Sequence, residues 1–141
     1  MAQNILVERY VDDTKKFLSV LDKNGRRVSA LFWFYSEGHQ AWRLVVASSL
    51  FDDMMQKHEM GLLDVYSLIV NDTLEADLER LQSSDVQVEA THNKLVRAVR
   101  EEYIVVAGQK PIWLDGFAYN SSYVDGMVIL RSIKPLEEHN G

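Results

Sequence analysis

The sequence predicts an α+β domain: a sheet of about five strands, mainly antiparallel or else mixed, with helices on one or both faces. Three observations carry this expectation. Helical periodicity opens the chain and returns in its middle, strand pairs fall near both ends, and the elements run in the order α β β α β α α β β. The 141 residues suit a single domain, assigned to residues 1–135, with the polar end 136–141 expected to be a flexible tail. A chain of this length buries about 68–70% of its unfolded surface and needs no metal or disulfide to hold it.

Residues 4–22 read as an amphipathic helix. Val7, Val11, Thr14, Leu18 and Leu21 follow the helical period, with Tyr10 and Phe17 beside them, while Asp12, Asp13, Lys15 and Lys16 fall elsewhere. "KNG" ends it, Gly25 supplying a positive φ. Two strands follow, at 29–35 and 41–47, joined by the short loop "SEGHQ". In the first, Ala30, Phe32 and Phe34 face one way and Leu31, Trp33 and Tyr35 the other, so both sides of the sheet require cover. That cover comes from the chain's own helices or from a second copy.

Ser48 or Ser49 caps the next helix, Asp52 and Asp53 suit its positive first turn, and Gly61 ends it. Residues 63–72, "LDVYSLIVND", read as a third strand, reached by a connection long enough for a parallel crossover. Asp72 with Glu75 then resembles a capping box opening a helix whose apolar side is Leu74, Leu78 and Leu81. Val86 and Val88 alternate, as in a loop or minor edge strand. Thr91 caps a helix to about Tyr103, with Leu95, Val99 and Tyr103 on one face. Residues 112–120 and 127–133 form a closing hairpin around "SSYVDG".

Composition excludes several kinds of chemistry. The chain has no cysteine, so it has no disulfide, no thiolate nucleophile and no cysteine-ligated metal. A net charge of −6 opposes nonspecific nucleic-acid binding. The start of the sequence reads as no secretory signal, and no apolar run approaches a membrane span, so the expected location is the cytoplasm with no membrane contact. Phosphate loops, dinucleotide fingerprints, nucleophile elbows and zincin motifs are absent from the sequence. No cofactor and no metal is expected.

Asp52, Asp53 and His58 form a local acid–histidine group, but Asp53 and His58 lie five apart and share no tight helix face; helix-start charges explain the acids. Lys94, Arg97 and Arg100 recur at three-residue spacing, with Glu101 and Glu102 diluting their field. They read as a solvated helix face. At the last hairpin, Asp115 and Tyr119 lie four apart on one strand, with Trp113 and Phe117 on the same side. An acid among aromatics is a possible ligand contact or general base. Trp33, Tyr35 and Arg43 from the first hairpin, with Trp113, Asp115 and Tyr119 from the last, are therefore the candidate binding surface.

"SALFWFYSEGHQAWRLVVASSLFDD", then "LDVYSLIVND", then "FAYNSSYVDGMVILRSI" resembles a family of small uncharacterised prokaryotic proteins over residues 29–133, most distinctively at Trp42, Arg43 and Leu44. Ser49 stands where that pattern has a proline. The resemblance implies no activity. The expected function is a noncatalytic domain that binds a protein partner or itself. The alternative is a small-molecule binder or enzyme with an unmarked pocket at the C-terminal hairpin.

Overall fold

The structure, a computed structural model, describes residues 2–36 and 40–134. Residues 37–39 of the expected loop 36–40 and the expected tail at 136–141 lie outside the described residues. Helix α1 (Ala2–Lys23) is followed by the antiparallel strands β1 (Val28–Ser36) and β2 (Ala41–Ser48). Helices α2 (Ser49–Lys57) and α3 (Gly61–Ala76), a 3-10 turn at Ser83–Asp85 and strand β3 (Val86–Val88) come next. Helix α4 (Lys94–Glu102) leads to β4 (Ile112–Leu114), β5 (Phe117–Tyr119), β6 (Ser122–Val124) and β7 (Gly126–Ser132).

The expected α+β class is present. Five strands form one sheet in the order β3-β2-β1-β7-β4, and β5 with β6 forms a separate two-stranded ribbon. The sheet is mixed: β2 and β3 pair in parallel, through the crossover that α2 and α3 provide, and its other pairs are antiparallel.

Local chemistry sets the element boundaries. Gly25, at φ +71°, closes α1, the N–H of Gly25 reaching Asp22 O and that of Arg26 reaching Leu21 O. The Ser48 hydroxyl accepts from Leu50 N and Phe51 N at the start of α2. Asn93 rather than Thr91 caps α4, its side chain accepting from Leu95 N and Val96 N. Thr91 instead donates its N–H and hydroxyl to Asp52.

Both faces of the sheet are covered from within the chain. Leu31 and Trp33 of β1 join Leu44, Val46 and Val128 beneath α1, α2 and α3. Ala30 and Phe32 join Val45 and Ile129 on the opposite side, beneath α4 and the β5–β6 ribbon. Burying an aliphatic or aromatic side chain of this kind stabilises by about 1.5–3 kcal/mol. The tryptophan on the first face is polar-satisfied as well, since Trp33 Nε1 donates to Thr14 Oγ1 at 3.0 Å.

Four readings of the sequence are corrected. Residues 63–72 are the body of α3, not a strand. Asp72 lies inside that helix, buried, and does not cap another. Asp13, placed by periodicity away from the core face, is 4% exposed and accepts hydrogen bonds from the N–H groups of Glu79, Arg80 and Leu81. Finally, Gly61 opens α3 instead of closing α2. It is buried against the backbone of α2, where an added Cβ would stand 2.1 Å from Met54 O.

The closing hairpin is also broken in two. β4 pairs with β7, but the chain bends at Asp115 and Gly116, and β5 leaves the sheet to pair with β6. The ribbon turns at Asn120 and Ser121, both at positive φ (+44° and +67°), two residues before "YVDG". The Asp125 N–H donates to Tyr35 O and pins the return of the chain to the end of β1.

Candidate interaction surface

The six residues selected from the sequence do not converge. Trp33 is buried, its ring 5.5 Å from that of Tyr10. Tyr35, on the same face, packs 5.5 Å from Trp42. Trp113 pairs across the sheet with Val128 and so shares that face, but it stands at the outer edge and is exposed. Arg43 pairs with Phe34, on the side covered by α4. Tyr119 stacks on Phe117 on that same side. Asp115 is exposed at the bend between β4 and β5. The bend also parts Trp113 from Phe117, which the sequence had placed on one strand face.

The basic series on α4 divides in the same way. Arg97 is exposed and meets Glu101 at 3.5 Å, whereas Arg100 is 1% exposed and donates to the carbonyls of Ile133 and Lys134. His58 Nε2 lies 3.2 Å from Asp64 Oδ2, both exposed, and Asp52 is engaged by Thr91. Among the described residues no group of three or more His, Cys, Asp or Glu is placed to hold a metal.

The hollows of the surface lie elsewhere. An open groove of about 920 Å³ runs between the end of α1, the start of β1 and the end of β7. Arg131 and Asp22 close its floor with a two-point ion pair, at 3.0 and 2.8 Å. Tyr119 lines a smaller hollow of about 310 Å³ with Phe34, Gln87 and Glu89.

The feature that sequence reasoning missed is the outer face of α3. Gly61, Val65, Ile69, Asp72 and Thr73 are its buried side. Leu63, Ser67, Val70 and Leu74 recur at intervals of four, three and four on the opposite side, within about 60° of one another at 100° per residue. Leu63 is 59%, Val70 41% and Leu74 74% exposed, with Met60 and Leu62 also exposed at the helix start. A helix apolar on two opposite faces has one face too many for a single core.

Polar anchors fix this helix in place, so the exposed stripe is not a loosely packed element. Arg26 holds Asp72 through Nε and Nη2 at 2.9 and 3.1 Å, and the Asp72 carboxylate pushes the Arg26 pKa up. Lys23 and Asn24 bind Glu75, and these hydrogen bonds hold its carboxyl below the usual range. Past the helix, Asp13 gathers the chain at 79–81. Burial raises its pKa, but the three backbone N–H donors and nearby Lys16 together outweigh burial and leave it lowered. Val70 and Leu74 border a shallow groove of about 290 Å³ with Leu78, Leu81 and Asp77.

Comparison with protein-family models, with curated proteins and with solved structures gives no match for this chain. No helix among the described residues is long and apolar enough to cross a membrane.

Proposed function

We propose that this chain is a noncatalytic, cytoplasmic protein-interaction domain that docks through the outer face of α3. One observation carries the reading: a firmly anchored helix presents Leu63, Val70 and Leu74 to solvent while both faces of the sheet are already covered. Aligned exposed apolar side chains of this kind mark interaction sites. The exclusion of charged side chains from the centre of the stripe is the composition of an interface core. The small-molecule alternative lacks this support: Tyr119 lines only a small hollow beside Phe34, and Asp115 stands exposed at the bend between β4 and β5.

The test is site-specific photocrosslinking in the native host. A photoreactive residue at exposed Ser67 should give a discrete adduct, and one at exposed His92 should not. The adduct should disappear in Leu74→Glu. Because Leu74 already stands in water, that substitution should change unfolding free energy by no more than about 0.5 kcal/mol, while weakening partner binding at least about tenfold. Absence of an adduct at Ser67, or an adduct indifferent to Leu74→Glu, rejects the docking face.

A further inference from the structure

Resting on that docking face, we infer that its occupant is an amphipathic helix of another protein whose apolar stripe is flanked by lysine or arginine. The chain has 21 acidic and 15 basic residues. Between Glu59 and Glu79 lie six acids and no lysine or arginine, so the rest of the chain holds 15 of each. In sequence these six account for the formal charge of −6, and in space Lys23 and Arg26 offset two of them.

The local geometry sharpens this. Asp64, Asn71 and Glu75 lie along one border of the leucine stripe, at about 80–120° from Leu63. Asp77 closes its far end in the left-handed conformation, at φ +54°. The last turn of α3 holds no basic residue, so Glu75 and Asp77 add to the negative end of the helix dipole. Arg26 and Lys23 answer Asp72 and Glu75, and Glu79 shares a hollow with Arg9, Lys15, Lys16 and Arg80, but among the described residues the carboxylates of Glu59 and Asp77 make no ion pair. A cationic group at this end meets carboxylates and helix dipole together. The groove of about 290 Å³ beside Val70 and Leu74, with Asp77 on its rim, accepts an apolar side chain whose neighbour is a lysine or arginine.

The same charges argue against other occupants. A second copy of α3 would bring acid against acid. Residues 135–141 carry Glu137 and Glu138 and no lysine or arginine. Anionic lipid and nucleic acid are repelled.

Two labelled helical peptides of about 20 residues decide the matter, sharing one leucine stripe but rimmed by lysine in one and glutamate in the other. Fluorescence anisotropy should show the lysine-rimmed peptide binding at least about tenfold tighter, the difference shrinking at high salt. Leu74→Glu should abolish binding of both. Asp77→Asn, which keeps a residue tolerant of positive φ, should reduce the preference about two- to threefold. Equal affinities that are both lost in Leu74→Glu overturn the basic partner and leave the docking face standing, as does a preference for the glutamate rim. Failure of both peptides to bind, or binding indifferent to Leu74→Glu, overturns the partner and the docking face together.

Discussion

Replacing Asp13 by alanine should lower stability by about 3 kcal/mol at neutral pH, since it strands three backbone N–H donors beside a buried site. The carboxylate joins the middle of α1 to the chain leaving α3, so its loss should also free the segment around Arg80. Urea unfolding gives the first quantity and amide exchange at Glu79, Arg80 and Leu81 the second. A loss under about 1 kcal/mol would mean that water serves these donors equally well. The pH dependence has a defined sign. The folded pKa of Asp13 lies below its ordinary value of 3.8, so the contribution is complete above that value and is lost as pH falls through the folded pKa. The stability gap between the native chain and Asp13→Asn should therefore be full at about pH 7 and narrower at about pH 3. A gap that widens on acidification contradicts the assignment.

Gly61→Ala should cost about 3 kcal/mol, a large effect for a single methyl group. The new Cβ would meet Met54 O at 2.1 Å and two further backbone atoms at 2.8 Å, and backbone cannot rotate away as a side chain does. Relief requires α2 and α3 to separate, which opens the packing around Phe51 and Val65. Leu62→Ala, one residue along and exposed, is the matched control and should be close to neutral. A midpoint for Gly61→Ala equal to that of the control would show that the two helices part without loss.

The strands were legible where alternation and burial agree. The two-sided pattern of β1 correctly required cover on both faces, and Val86 with Val88 marked a minor strand. Capping was legible at Ser48 and Gly25 because it is local. The third element failed for a physical reason. "LDVYSLIV" is apolar on two sides of a helix at once, which blurs the helical period into a continuous run that resembles a buried strand. A signal was nevertheless present: Gly61, Val65 and Ile69 at four-residue steps, opposed by Leu63, Ser67, Val70 and Leu74. Asp72 read as a cap because its partner, Arg26, is 46 residues away. The candidate site dispersed because Trp33 and Tyr35 lie on the opposite sheet face from Arg43, and because the bend at Asp115 and Gly116, which no local rule assigned, parts β4 from β5.

The lengths of the strands have a further consequence. The three inner strands run for seven to nine residues, whereas β3 and β4, at the two borders of the sheet, have three each. Each border strand thus offers an incoming strand a ladder only three residues long, too short to template continued pairing. Short border strands limit edge-to-edge growth, so α3 can keep a sticky face in water beside a sheet that resists seeding aggregation.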